Sequence, residues 1–270
     1  MTAAAEQTTV RRIIVTLGAC DTGRATLETA ARLATILPAE LEGVFVEDIN
    51  LIRLAELPFL RELRSWSLAE EALNGQRMQR ELRAKARQAE QTLAQVAAAR
   101  GVNWSFRVWR GLPLAESLLA ALEADVLGLG RRDSLVSGRA QHISPPRARQ
   151  ATVACQCISV LFSGSEQATR ALSTACRLAQ DTGARLTVLL PEAETAKAVD
   201  LQERAAAILE SHKLQARVIK LTETDAHSVA RAVASVGDGI LIAEVGHPLL
   251  EQGGLDQYLN ALPCPILLMR

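Results

Sequence analysis

The chain has 270 residues, of which 49% are hydrophobic and 3% aromatic, and its 30 basic residues balance its 30 acidic residues. This composition is typical of a globular protein with one large or two modest domains. The zero net charge and the scarce aromatic side chains argue against a nucleic-acid partner. No apolar run approaches the roughly 18 residues that a membrane span needs, so we expect no membrane insertion.

The amino-terminal residues 1–9 are polar and lack the apolar core of a signal peptide. We therefore expect a disordered tail and a cytoplasmic protein. The first half then predicts alternating strands and helices. Strands are expected at 10–17, 40–46, 104–109, 125–130 and 151–154, and helices at 23–37, 77–100 and 113–123.

Segment 47–76 has no counterpart in the second half, and Pro58 divides it. It mixes leucine and isoleucine with charged residues, so we expect two short helices over the top of the sheet. Such a pattern fits a lid, a surface for a protein partner, or an insertion that covers the core. The sequence leaves these alternatives open.

The second half is shorter and repeats the same order of elements, and only Gln156 separates the strand-like runs of the two halves. So short a junction favours a rigid pair of units. Strands are expected at 158–162, 185–190, 216–221, 239–243 and 265–269, and helices at 166–180, 195–211, 226–235 and 255–262.

The two halves also share sequence, because Arg11–Ala34 returns at Cys157–Ala179 with a constant offset. Ile13 then corresponds to Ile158, and Leu41 further on corresponds to Leu186. Each copy is a β-branched run, a small polar loop and an amphipathic helix. The repeat indicates two α/β units made from one ancestral unit.

Five cysteines form no disulfide framework at this length. Cys155 and Cys157 have C-x-C spacing in a strand-like run, where alternation would place both sulfurs on one face. This spacing fits a metal or redox pair, and it also fits two small buried residues. No nearby cluster of histidine and cysteine completes a zinc site, so no metal is expected.

The chain resembles the tandem members of the universal stress protein family. The resemblance spans 10–270 apart from segment 47–76. It rests on the strand-and-loop sequences IIVTLG and ISVLFSG, the helices TLETAARLA and ALSTACRLA, the EADVLGLGRR run at 123–132, and the closing LPCPILLMR at 262–270.

This resemblance implies an α/β fold with two tandem open parallel five-stranded sheets, each in strand order 3-2-1-4-5 with helices on both faces. One domain would occupy 10–155, with the helical insertion at 47–76, and the second would occupy 156–270. A crevice is expected in each half outside the carboxyl ends of strands 1 and 4, where the strand order reverses.

ATP-binding members of the family carry an aspartate at the end of strand 1 and a G-x2-G-x9-G-[S/T] loop after strand 4. Gly18 and Ser163 stand at the two aspartate positions here. Counted from Gly130 and from Ala243, each loop keeps one of the three glycines. In the first half, Asp133 also places a negative charge where phosphate would lie.

Some residues at the two crevices could still hold a nucleotide or a small anion. They are Gly18, Gly130, Arg131, Arg132, Ser134, Ser163, Gly164, Ser165 and Gly246. The SGS run at 163–165 precedes a helix, where an anion site and a plain helix cap are both open interpretations. His142 and His247 fall in the loops after the fourth strands, where we expect solvated side chains.

Three functions follow from these features. The first is a non-enzymatic stress-response or regulatory protein with degenerate nucleotide loops and no cofactor. It would act through an unknown protein partner that binds segment 47–76, and it would form a homodimer or a pseudo-dimer of its two domains. The second is a sensor of ATP or another adenine nucleotide in the first-domain crevice. The third is an enzyme such as a slow ATPase, for which the sequence shows no general base and predicts no catalytic residue. We favour the first.

Overall fold

The computed structural model describes residues 11–18, 23–57, 61–63, 70–72, 75–112, 119, 123–130, 156–191, 195–221, 223, 225–248, 250 and 254–270. Within these ranges the chain forms eleven strands and seven helices. The strands are β1 (Arg12–Leu17), β2 (Glu40–Asp48), β3 (Arg61–Leu63), β4 (Glu70–Ala72), β5 (Trp104–Gly111), β6 (Val126–Leu129), β7 (Cys157–Leu161), β8 (Arg185–Leu190), β9 (Ala216–Lys220), β10 (Gly239–Glu244) and β11 (Ile266–Met269). The helices are α1 (Gly23–Ile36), α2 (Ile49–Ala55), α3 (Gly75–Ala98), α4 (Glu166–Thr182), α5 (Thr195–Ser211), α6 (Ala226–Val236) and α7 (Leu255–Ala261).

Nine strands form one sheet in the order β5-β2-β1-β6-β11-β10-β7-β8-β9. Within each half every neighbouring pair is parallel. The first half has the strand order 3-2-1-4 and the second half the order 3-2-1-4-5, so the predicted α/β class and strand order are confirmed. The apolar runs of the central strands fit this result, since all five residues of β7 are buried.

The predicted division into two five-stranded sheets is wrong, because β11 pairs with β6 and joins the halves into one sheet. This pair is antiparallel, with Ile266 opposite Leu129 and Met269 opposite Val126. The other edge of β6 is occupied by β1. A fifth strand of the first half therefore has no place beside β6; the strand predicted at 151–154 lies outside the described residues.

The first two strands of each half pair in an equivalent register. Ile13 pairs with Leu41 in the first half, and Ile158 pairs with Leu186 in the second. For the fourth strands, the structural alignment of the two halves differs by one residue from the sequence alignment. Ile13 pairs with Val126 and Ile158 pairs with Ile240, so Val126 corresponds to Ile240. Followed along the two strands, this register matches Gly130 to Glu244, whereas the sequence count matched it to Ala243.

Helices cover both faces of the sheet, as predicted, and the buried residues form two cores. The first core includes residues of α1, α3, α4 and α5, and the second includes residues of α6 and α7. Small residues let α1 and α4 lie close to the sheet, since Ala30, Ala31, Ala171 and Ala175 are fully buried. The predicted helix at 77–100 is present as α3, and Gly101 follows it with a φ of 63°.

Segment 47–76 differs from the expected pair of short helices. Its first part is helical, and the Asp48 side chain caps α2 by accepting a hydrogen bond from the Asn50 backbone N–H at 2.8 Å. Beyond it, β3 and β4 pair with each other as antiparallel strands. A hairpin thus stands where a second helix was expected, because the two strands satisfy each other's backbone groups.

No helix in the ranges above is long and apolar enough to cross a membrane.

Candidate functional site

The crevice of the second half lies where the parallel strands β7 and β10 end side by side. Ser163, Gly164 and Ser165 follow β7 and lead into α4. Glu244 is the last residue of β10, and Gly246 and His247 come soon after it. The four second-half residues predicted from the sequence, Ser163, Gly164, Ser165 and Gly246, are therefore on neighbouring turns at one edge of the sheet.

The carboxylate of Glu244 connects the two turns. The hydroxyl of Ser163 donates a hydrogen bond to its Oε1 and the hydroxyl of Ser165 donates to its Oε2. Ser165 is also the N-cap of α4, because its Oγ accepts a hydrogen bond from the Ala168 backbone N–H at 2.9 Å. Both carboxylate oxygens and both serine hydroxyls are engaged within the protein.

Gly164 lets the chain turn between these two serines. Its φ is 83°, in the left-handed region that favours glycine. A Cβ at this position would also collide with the Leu201 side chain of α5. The backbone N–H of Ser165 donates to Ser163 Oγ at 3.2 Å and closes the turn.

The crevice is closed to solvent at its centre. Glu244 is 3% exposed and His247 is 1% exposed. Burial lowers the pKa of His247 to about 4, although the nearby Glu244 carboxylate opposes this change. The imidazole is therefore neutral near pH 7. The expectation of a solvated His247 is wrong, because the turn after β10 packs against the second core through Leu250. Within this turn, the backbone N–H of Leu250 donates to the His247 carbonyl oxygen at 2.8 Å.

The first-half crevice is described only at its edges. Gly18 follows β1 and Gly130 follows β6, and these two strands are paired up to Thr16 opposite Leu129. A Cβ built on Gly18 meets no atom within 4 Å among the residues described. Arg131, Arg132 and Ser134 lie outside the described residues, as does His142. Because β6 and β11 are antiparallel, the strands of the two halves run in opposite directions, and the two crevices lie at opposite ends of the strands.

Glu244 is the residue that the sequence analysis missed. It ends the apolar run GILIA at 239–243, so its position beside the crevice could have been read from the strand prediction. Its two serine partners could not, since they are 81 and 79 positions away in the sequence. His247 was noticed as a loop histidine but its burial depends on the same non-local packing.

The C-x-C pair is described at one position only, because Cys155 lies outside the described residues. Cys157 is buried, and its thiol donates to the Val236 carbonyl oxygen at 3.1 Å. Arg185 Nη2 donates to the same sulfur at 3.3 Å. Among the described residues, no group of three or more histidine, cysteine, aspartate and glutamate side chains could hold a metal ion.

Comparison with known proteins places the fold. No protein-family profile and no curated protein sequence matches the chain. Among solved structures, a universal stress protein from Archaeoglobus fulgidus DSM 4304 is similar over 96% of each chain, with 13% identity and a TM-score of 0.58. A putative universal stress protein from Pseudomonas aeruginosa UCBPP-PA14 covers 96% of this chain and 93% of its own, with 11% identity and a TM-score of 0.50.

These similarities define the fold of the protein. The chain has the universal stress protein fold over nearly its whole length, as the sequence resemblance implied.

Proposed function

We propose that the chain is a non-enzymatic cytoplasmic regulatory protein of the stress-response type. Two universal-stress-protein-like domains, at 10–155 and 156–270, would act through protein partners. The observation that carries this proposal is the Glu244 carboxylate, which takes the hydroxyls of Ser163 and Ser165 at the centre of the second crevice.

Charge is the first reason why the second crevice is unsuited to a nucleotide. In the strand register Glu244 and His247 stand at the first two glycine positions of the family's phosphate loop. A carboxylate repels a phosphate group strongly where water is excluded. The neutral His247 supplies no compensating positive charge.

Hydrogen bonding is the second reason. A phosphate at the start of α4 would need free donors from the 163–165 turn. The two hydroxyls already donate to Glu244, and the backbone N–H of Ser165 already donates to Ser163. The turn therefore stabilises the domain as a helix cap, and its role as an anion site would require breaking these bonds.

The partner surface that we propose is segment 47–76. It has no counterpart in the second half, and its helix α2 packs on α3. Leu54 in the last turn of this helix and Leu57 just beyond its end are 45% and 38% exposed. Exposed leucines on an inserted segment suit a protein contact. The joint between β6 and β11 supports a pseudo-dimer of domains within one chain, which is part of the proposal, as is the pairing of two chains.

A second candidate is an adenine-nucleotide sensor in the first crevice, and one observation favours it. Gly18 and Gly130 stand where Ser163 and Glu244 stand in the second half, so the first crevice has no side chains at the two positions that fill the second. Arg131, Arg132 and Ser134 would then contact the phosphates of ATP.

The deciding experiment is to purify the protein without added nucleotide, denature it and identify the released small molecules by mass spectrometry. We expect no nucleotide, and no rise in melting temperature when ATP is added. Stoichiometric ATP would overturn the first proposal and support the sensor. In that case Gly130→Glu, which copies Glu244 into the first crevice, should abolish binding, while Gln88→Glu on the exposed face of α3 should not.

A further inference from the structure

An open cavity of about 560 Å³ lies at the amino ends of β8 and β9, beside the carboxyl end of α6. It lies at the amino ends of the strands, whereas the second-half crevice lies at their carboxyl ends. Three strands, β11, β10 and β7, separate it from the pair β1 and β6 that borders the first-half crevice. The cavity therefore belongs to neither crevice and uses none of their residues.

The floor of the cavity carries positive charge. Thr187 lies opposite Arg217 in the strand register, and Arg185 is two residues before Thr187 on β8. Side chains at these three positions share one face of the sheet, since alternate residues of a strand point the same way. Gln215 and Ser235 also line the cavity, and none of its lining residues is acidic.

Arg185 is held in position at the wall of the cavity. Its Nη2 donates to the Val236 carbonyl oxygen at 3.4 Å and to the Cys157 sulfur at 3.3 Å. The carboxyl end of α6 is the negative end of the helix dipole, and these contacts offset it. A guanidinium carries five N–H donors, so Arg185 keeps donors beyond those that it uses here.

Arg217 provides the second cation. It is exposed, and it makes no ion pair with any carboxylate in the part of the chain that the structure describes. Directly opposed residues on neighbouring strands have Cβ atoms about 5 Å apart, so the Arg217 guanidinium can reach an anion that lies over Thr187. Thr187 neighbours both arginines in the sheet, is 1% exposed and lines the same cavity.

We propose that this cavity binds the phosphate group of a small organic phosphomonoester. Arginine forks and a hydroxyl match the several oxygens of a phosphate dianion, and charge-assisted hydrogen bonds to such a group are the strong ones. Gln215 and Ser235 line the same cavity and offer hydrogen bonds to a polar organic part of the ligand. The site is independent of the proposed partner-binding function.

The test is a titration of the whole chain in which amide chemical shifts are monitored by two-dimensional NMR. The probes are glycerol 3-phosphate, inorganic phosphate and glycerol. Saturable shifts at Thr187 and Arg217 are expected with glycerol 3-phosphate. Inorganic phosphate that binds equally well would identify free phosphate as the source of the same chemistry, whereas shifts with glycerol alone would overturn the proposal.

Two variants complete the test. Arg217→Gln should weaken glycerol 3-phosphate binding at least tenfold, because it removes one charge-assisted contact. Arg80→Gln, on the exposed face of α3 in the other half, is the matched control and should bind as the wild type does. Unchanged affinity for glycerol 3-phosphate in Arg217→Gln would overturn the proposal. Any ATP binding in the first crevice should be the same in the wild type and in both variants.

Discussion

Leu267 of β11 lies directly opposite Gly128 of β6, and this antiparallel pair is the joint between the two halves of the protein. A Cβ on Gly128 would come within 3.3 Å of Leu267 Cδ2 and within 3.2 Å of Val15 Cγ2. The joint is thus packed from both neighbouring strands as well as hydrogen-bonded. Glycine at this position lets the closing strand of the second half lie against the first half.

Gly128→Val should destabilise the whole chain because it overfills this joint. Overpacking of a closely packed core typically costs about 1–3 kcal/mol of unfolding free energy. The measurement is urea denaturation followed by circular dichroism. Gly18→Val is the matched control, since a Cβ there meets no atom within 4 Å among the described residues. Equal stability of the two variants would contradict the packing argument.

Glu244→Ala should also lower the unfolding free energy, since it leaves two half-buried serine hydroxyls without their acceptor. Loss of one partner of a buried hydrogen bond costs about 1–3 kcal/mol. Glu244→Gln keeps one oxygen acceptor and the same shape, so its effect should be smaller. Urea denaturation at pH 7 measures both variants.

The control for this pair is Glu90→Ala, which removes a carboxylate from the exposed face of α3. Surface changes of this kind usually stay within about 0.5 kcal/mol of the wild type. If Glu244→Ala is as stable as Glu90→Ala, the Glu244 carboxylate does not stabilise the crevice.

The parallel sheet and its helices could be predicted because their signals are local. Leu82, Leu93 and Val96 recur at helical spacing, and α3 buries all three. The sequence alignment of the two halves matched Ile13 to Ile158, and in the structure these two residues have equivalent partners.

The joint between the halves could not be predicted, because nothing local tells β11 to pair with β6 instead of ending the second sheet. The closed second crevice could not be predicted either, because its contacts join residues that are distant in the sequence. Ser163 and Glu244 come together only when β7 and β10 pair, and the sequence positions of the two residues differ by 81. Loop counting also placed the fourth strands one residue out of register.

Cys176 should resist thiol reagents as long as the protein is folded. It is fully buried on α4, and this burial raises the pKa of its thiol to about 11. The thiolate is the reactive form, so little of it is present at pH 8. Peptide mass mapping after iodoacetamide treatment should find Cys176 unmodified in native protein and modified in urea. Equal labelling in both states would show that α4 opens readily.

The stability of the protein should fall as the pH drops from about 6.5 to about 4, because of His247. Its pKa is about 4 in the folded protein against an ordinary value of 6.5. In this window the unfolded chain takes up a proton that the folded protein does not, so acid favours unfolding. The stabilisation is complete above pH 6.5, and its loss amounts to about 3 kcal/mol.

Urea denaturation across pH 4–7.5 measures this effect as the difference between the wild type and His247→Gln, since carboxylates titrate in both. The variant should show a flatter dependence on pH over this window. Gln88→Asn, a neutral change on the exposed face of α3, should keep the slope of the wild type. Parallel pH profiles for the wild type and His247→Gln would mean that His247 takes up a proton equally readily in the folded protein and in the unfolded chain, which would contradict the prediction.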